Sequence, residues 1–250
     1  MLTEERHRLI LDLLAEKKVV KLQELVEATS SSESTIRRDL SQLEKEKKLR
    51  RVHGGAALLH QKREELSVLE KSTKNMEEKR LIAQYAAQFV QDGDCIYIDA
   101  GTTTLEMIPH IHAKDIVVVT NGITHLEALL EKDIPTYLLG GLIKKKTKAL
   151  IGRGALHSLE HYSFDKCFIG VNGIHHDFGY TTPDPEEAMV KSLALKLSRQ
   201  AYVLADHSKM NESTFAKIAD LEAATIITDE LDDELLALYE AKTAIEVVKK

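Results

Sequence analysis

Residues 34–45 constrain this chain more tightly than any other stretch. Ile36, Leu40 and Leu43 fall at i, i+4 and i+7, the spacing that lines one narrow helix face with apolar side chains. At ~100° per residue, Ser34, Arg38, Ser41 and Lys45 project on the opposite side. Arg37 lies on one flank of that outward face, and Thr35 and Gln42 lie on the other. Guanidinium forks, small hydroxyls and an amide are groups that meet base edges and phosphates. Alone, an Arg-Arg pair on an amphipathic helix reads as solvated surface. The flanking residues reverse that reading.

Two helices are predicted before this one. The first starts at Thr3, where Glu4 and Glu5 suit a helix N-terminus, and Leu9, Ile10, Leu13 and Leu14 give it a buried face. The second covers about residues 21–28, with Leu22, Leu25 and Val26 inward. A turn over residues 29–32 then offers Ser30 or Ser32 as N-cap of the third helix. Helix, short turn, helix is the helix-turn-helix pattern. Downstream, Arg50, Arg51 and His53 precede Gly54-Gly55 between two short extended runs, the signature of a hairpin able to lie along the backbone or minor groove as a wing. The candidate DNA contacts are Ser32, Ser34, Thr35, Arg37, Arg38, Ser41, Lys45, Arg51 and His53.

Charge divides the chain the same way. Residues 1–60 hold 12 Lys+Arg against 10 Asp+Glu, and the remainder holds 22 against 30, so a net charge of −6 hides a mildly basic head on an acidic body. A local positive patch serves phosphate attraction without indiscriminate nucleic-acid binding. One head of charge +2 binds weakly, so a homo-oligomer, dimer or tetramer, is expected.

The run from Ser34 to Leu40, Ser-Thr-Ile-Arg-Arg-Asp-Leu, followed by Val52-His-Gly-Gly55, resembles the winged helix-turn-helix of the DeoR family of bacterial transcriptional regulators. The resemblance extends over nearly the whole chain. It implies double-stranded operator DNA as a partner.

The expected division is a winged helix-turn-helix over residues 1–58, a charged linker over 59–75, and an α/β domain over 76–250. No apolar run approaches the ~20 residues of a membrane span. Glu4, Glu5, Arg6 and Arg8 interrupt any signal-like segment at the N-terminus, so a cytoplasmic protein is expected. Cys95 and Cys167 sit in strand-like runs and are expected to pack in the core. Strands are predicted at 95–98, 116–119, 136–139, 166–170, 201–205, 225–228 and 245–248. Helices are predicted at 77–91, after 104, and at 123–130, 186–198 and 232–239. Short β-branched runs alternating with helices indicate an open, mostly parallel sheet, which binds ligands at the carboxyl ends of its strands.

Those ends are rich in Gly, Asn, Asp, Thr and Lys. Asp99-Ala-Gly-Thr-Thr-Thr104 joins a strand to a helix, where Gly101, free N–H groups and three hydroxyls suit an anion such as phosphate. An ordinary N-cap turn would need one threonine. Asn121, Gly140-Gly141, Asn172 and Asp206-His-Ser-Lys209 close neighbouring strands, and together they suit a small polyhydroxylated anion. Gly152-Arg153-Gly154 lacks the third glycine of a dinucleotide fingerprint, and there is no Walker loop. His175, His176 and Asp177, adjacent in a loop, are expected to point apart, so no metal and no cofactor are expected.

This half is similar to the DeoR sensor domain, whose fold resembles ribose-5-phosphate isomerase and which binds phosphorylated sugars. The resemblance rests on Asp99 to Thr103, Thr120-Asn121, Gly140-Gly141 with Lys144, Phe168 with Gly170, Glu187-Ala188 with Lys191, Ala205 to Lys209, and Thr228-Asp229. It implies that Gly101 to Thr104 with Lys209 hold the phosphate, while Asn121, Glu187 and Asp206 meet sugar hydroxyls. The candidate effector set is Asp99, Gly101, Thr102, Thr103, Thr104, Asn121, Lys144, Asn172, Glu187, Asp206 and Lys209. Asn172 stands where the family commonly has Asp, and an amide cannot act as the general base of isomerase chemistry, so sensing without catalysis is expected.

The runs at 137–143 and 165–171 resemble the fructose operon repressor branch. They imply a repressor of fructose utilisation released by fructose 1-phosphate. The alternatives are a sugar-phosphate isomerase carrying a DNA-binding module, and a constitutive DNA-binding regulator without effector.

Overall fold

The computed structural model describes residues 2–17, 19–46, 48–52, 54–58 and 66–248. The chain divides into two compact units, Met1–Lys62 and Arg63–Lys250. His53 and residues 59–65 of the predicted linker lie outside the described residues.

In the first unit, α1 (Thr3–Lys17), β1 (Val19–Lys21), α2 (Leu22–Thr29) and α3 (Glu33–Lys45) precede a hairpin of β2 (Leu49–Val52) and β3 (Gly55–Leu58). Ile36, Leu40 and Leu43 of α3 pack on Ile10, Leu14, Leu25 and Leu49 in one small core. Leu9 is only half-buried. Its expected place is taken by Arg6, which continues the Ile10–Leu14 row one turn earlier and is 8 % exposed. Arg6 can sit there because Asp39 of α3 faces it: Nε and Nη2 donate to the carboxylate at 2.5 and 3.0 Å, and His7 adds a third contact at 3.1 Å.

The wing is a three-stranded sheet in the order β1-β3-β2. The sequence reading lacks β1, which pairs with β3 through Val20↔Ala56 and Lys21↔Gly55. The two glycines of the hairpin serve different needs. Gly54 has φ +76°, a conformation that L side chains rarely adopt. A Cβ on Gly55 would lie 2.2 Å from the Val20 carbonyl oxygen, so only glycine admits β1 at this distance.

The second unit opens with α4 (Val68–Ser72) and α5 (Met76–Ala87), then β4 (Cys95–Ile98), α6 (Thr102–Met107), β5 (Val117–Thr120), α7 (Leu126–Glu131) and β6 (Thr136–Leu138). A hairpin of β7 (Leu142–Lys144) and β8 (Ala149–Ile151) leads to α8 (Gly152–Leu159) and β9 (Phe164–Gly170). Next come β10 (Gly173–His175), β11 (Gly179–Thr182), α9 (Pro185–Lys196), β12 (Ser198–Leu204), β13 (Ala216–Ala219), β14 (Thr225–Thr228), α10 (Asp233–Glu240) and β15 (Ile245–Val247).

Seven of these strands form one sheet in the order β15-β14-β12-β9-β4-β5-β6, and every pairing in it is parallel. Residues alternate between its two buried faces: Ile96, Ile98 and Phe168 pack under α5 and α6, while Tyr97, Cys167 and Ile169 face α8 and α9. Burial on both faces is why these strands read as continuous apolar runs. Cys167 is buried as expected. Cys95, expected in the core, is exposed: it is the first residue of β4, ahead of the buried Ile96 to Ile98.

Chain order reverses at β4. Strands β5 and β6 extend to one side, and β9, β12, β14 and β15 to the other. The crevice between the carboxyl ends of β4 and β9 is therefore a topological switch point, where open α/β sheets take ligands. No helix among the described residues is long and apolar enough to cross a membrane.

Candidate nucleic-acid face and candidate ligand cavity

Ser32 is the N-cap of α3, its hydroxyl accepting the Thr35 N–H at 3.3 Å. Ser34, Arg37, Arg38 and Lys45 are exposed, and Thr35 and Ser41 are half-exposed. The outward face is built as the spacing requires. Arg37 is tethered to Glu33 at 2.6 Å, whereas Arg38 makes no ion pair among the described residues. The Ser41 hydroxyl donates to the Arg37 carbonyl at 2.9 Å and accepts from the Arg51 guanidinium at 2.9 Å. The Arg51 N–H also donates to Glu44 at 2.7 Å, so strand β2 is pinned to α3. Arg51 thus reaches the edge of the same face from the wing.

In the second unit a cavity of about 740 Å³, its open mouth included, lies over the carboxyl ends of β4, β9 and β12. Gly101, Thr102, Thr103, Asn172, Glu187, Asp206 and Lys209 line it, seven of the residues expected there. The first N–H groups of α6 have no carbonyl one turn back to receive them. Five lysines, Lys71, Lys74, Lys79, Lys191 and Lys209, converge on this space.

Lys79 is 5 % exposed, and burial pulls its ammonium below the ordinary lysine range, with Asp206 opposing. Burial alone would raise the Asp206 carboxyl, but Lys209, Ser208 and Asn75 together hold it below the usual carboxylate range. Glu187 accepts the Thr147 hydroxyl at 2.6 Å and the Lys144 ammonium at 3.2 Å. The Thr182 hydroxyl donates to the Asn172 side-chain Oδ1 at 3.1 Å.

Four expected residues, Asp99, Thr104, Asn121 and Lys144, do not line the cavity. Asp99 is fully buried behind it, ion-paired with Lys191 and accepting the Gly170 N–H at 3.1 Å. Burial pushes its carboxyl above the ordinary range against the pull of Lys191. Thr104 donates to the Asp99 carbonyl at 2.6 Å and meets His125, whose imidazole burial lowers to about 4. Asn121 accepts the Ala100 N–H at 2.8 Å and donates to the Leu150 carbonyl at 3.3 Å. Lys144 is held by Asp184 at 2.7 Å as well as by Glu187. These side chains shape the loops that bear the lining groups.

Lys71, Lys74, Asn75 and Lys79 were not in the expected set. They come from the stretch that reads as a charged linker and from the start of the following helix. A turn preceding a helix with four polar residues in register could have flagged them.

One more expectation changes. His175 and His176 do not point apart: their rings stack at 4.4 Å, and His175, His176 and Asp177 bring ligating atoms within 4.8 Å of one another at the β10–β11 turn. The Lys242 ammonium, 4.0 Å from Asp177, opposes a cation there.

A winged helix-turn-helix joined to a parallel α/β unit with a lysine-lined cavity at its switch point is the build of a two-part transcriptional regulator. The DeoR-like helix-turn-helix domain matches residues 6–62, and the DeoR C terminal sensor domain matches residues 74–230. The chain belongs to the DeoR family. It is 52 % identical to the uncharacterized HTH-type transcriptional regulator FruR of Bacillus subtilis over 100 % of both chains. It is 37 % identical to the HTH-type transcriptional repressor GlcR of the same organism, over 94 % of this chain and 91 % of that one. Among solved structures, ribose 5-phosphate isomerase A of Methanocaldococcus jannaschii shares 16 % identity over 55 % of each chain, with a TM-score of 0.41.

Proposed function

We propose that this protein represses a sugar-utilisation operon, that of fructose, and leaves its operator when fructose 1-phosphate fills the switch-point cavity. The observation that carries this reading is the cavity's composition. Lysines and the N-terminal turn of α6 suit a phosphate, while Glu187, Asp206 and Asn172 supply acceptors for sugar hydroxyls. Repression as the sign of regulation is supported by the names of relatives, GlcR and the lactose phosphotransferase system repressor of Staphylococcus aureus (strain NCTC 8325 / PS 47), the latter 33 % identical over 98 % of both chains. The choice of fructose rests on the resemblance of the 137–143 and 165–171 runs. Operator DNA as partner places the protein in the cytoplasm.

Gel-shift titration with a panel of sugar phosphates tests the reading. Fructose 1-phosphate is expected to weaken operator binding about 5- to 150-fold, the range that ~1–3 kcal/mol of coupling supports. It should also stabilise the protein by about 2.7 kcal/mol when present at 100 times its Kd. An operator affinity indifferent to every sugar phosphate would leave a DNA-binding protein without this effector. Product analysis after incubation with the same sugars separates sensing from isomerisation, and recovery of unchanged sugar is expected.

The helix face carries its own test. Arg38→Ala is expected to cost ~1–3 kcal/mol at one operator position, measured against a set of single-base operator variants. An equal loss on every sequence reassigns Arg38 to phosphate contact. We further propose that the protein works as a homo-oligomer that pairs two heads at half-site spacing, about 34 Å or a multiple of it. Tyr137, Leu138, Leu142 and Ile143 expose apolar surface at the open β6 edge of the sheet, a place for a second copy to cover. Sedimentation of the free protein as a monomer at micromolar concentration would remove this part of the reading.

A further inference from the structure

We infer that the segment leading into the second unit, residues 66–79, is itself part of the effector site and the route by which the bound anion is felt outside it. This rests on the cavity being the effector site proposed above. Leu66, Lys71, Lys74, Asn75 and Lys79 line the cavity together with the sheet ends. Leu66 lies just before α4, Lys71 on α4, Lys74 and Asn75 on the α4–α5 turn and Lys79 on the first turn of α5, the part of the chain that residues 59–65 join to the helix-turn-helix unit.

Two side chains make this segment responsive to charge. Asn75 is the N-cap of α5, yet its side chain makes no capping hydrogen bond. It turns away, at φ +51°, and donates from Nδ2 to Asp206 at 2.8 Å and to Ser208 at 3.4 Å. The segment is thereby latched to the end of β12 through the carboxylate that faces Lys209. Lys79, nearly fully buried, donates from its ammonium to the Lys71 carbonyl, the C-terminal end of α4. A carbonyl compensates a buried ammonium poorly, so an anion entering the cavity gains from Lys79 directly.

An anion there does two things at once. It draws Lys79 and Lys209, which otherwise balance Asp206, and it repels the Asp206 carboxylate that the Asn75 amide holds. Both changes fall on the latch. Ligand binding and the seating of residues 66–79 are therefore coupled, and the coupling is reciprocal.

Hydrogen exchange on the full chain, with fructose 1-phosphate and with inorganic phosphate as probes, reads the segment directly. Amides of residues 66–79 are expected to change their exchange rates by at least fivefold on binding, together with those of Gly101 to Thr103 and Asp206 to Lys209. The second arm is Asn75→Gly, which keeps the left-handed backbone and removes only the latch. At saturating fructose 1-phosphate, where a loss of affinity cannot mask the result, the ligand-induced change in operator affinity should fall to less than twofold. Binding that alters the strand-end loops but leaves residues 66–79 unchanged overturns the inference and spares the effector reading. So does an Asn75→Gly protein that releases the operator as fully as its parent. Absence of binding by either probe removes both.

Discussion

Replacing Asp39 with alanine is expected to remove about 3 kcal/mol from the helix-turn-helix unit and with it most operator binding, although Asp39 is buried within the unit. The carboxylate is 4 % exposed and pairs with a guanidinium that is 8 % exposed, so removing it leaves a buried cation without a partner. A unit of some 60 residues has only about 3–9 kcal/mol of stability to lose, at the usual ~0.05–0.15 kcal/mol per residue. Hydrogen exchange of residues in α1 and α3 should accelerate while that of the second unit holds. Operator affinity should fall without a change in its salt slope, since no phosphate contact is removed. The companion change Arg6→Met in Asp39→Leu should restore much of the loss, because both members of the buried pair are then apolar.

Acid should act on the same pair. Burial alone would raise the Asp39 carboxyl, but Arg6 and His7 outweigh it and hold it below the usual carboxylate range. A carboxyl whose folded pKa is depressed contributes stability above its unfolded value, near 3.9, and loses it as pH falls through the folded value. The parental head should therefore lose stability below about pH 4, and Asp39→Asn should show a flatter acid limb. An Asp39→Ala head as stable as the parent would discard the account.

Periodicity carried the reading of α3 and of the parallel sheet, because each buries a face or two in a regular pattern. The switch-point cavity followed from strand ends rich in Gly, Asn, Asp and Lys. Other features stayed hidden for identifiable reasons. β1 has three residues and no alternation of its own; it is a strand only because Gly55 lets the wing close on it. Arg6 and Asp39 both fall on apolar stripes, Arg6 one turn before Ile10 and Asp39 beside Leu40, and that shared misplacement was the available sign of a buried pair.

Thr104, Asn121 and Lys144 have the right chemistry for a ligand and the right position in the chain. Whether a hydroxyl or amide is spent on a neighbouring carbonyl is settled by tertiary distance, which no local pattern encodes. The same holds for residues 71–79. Residues 71–75 read as solvated linker and Lys79 as the outer side of the following helix until the fold brings them to the cavity.

The Asp99–Lys191 pair gives the other large effect. Asp99 is fully buried, its Oδ1 has no partner among the described residues, and its Oδ2 is held by the Lys191 ammonium and the Gly170 N–H. Lys191→Met should therefore leave an uncompensated carboxylate in the interior, at a cost of about 3 kcal/mol to the second unit at pH 7.5. The loss should shrink as pH falls. Burial already lifts the Asp99 carboxyl above its ordinary range, and removing Lys191, the chief opposing influence, lifts it further. A carboxyl whose folded pKa exceeds its unfolded value binds more protons in the native state, so stability grows from above the folded pKa down to the unfolded value near 3.9. Melting of Lys191→Met should rise from pH 7.5 to pH 5, opposite to the acid response of the head. Asp99→Asn in the same chain should recover most of the stability and erase that pH dependence. A double-mutant cycle over the four proteins measures the coupling directly. Lys191→Met melting at the parental temperature across this range would mean that Asp99 is already carried as the neutral acid, and the cavity's rear wall would need a different electrostatic account.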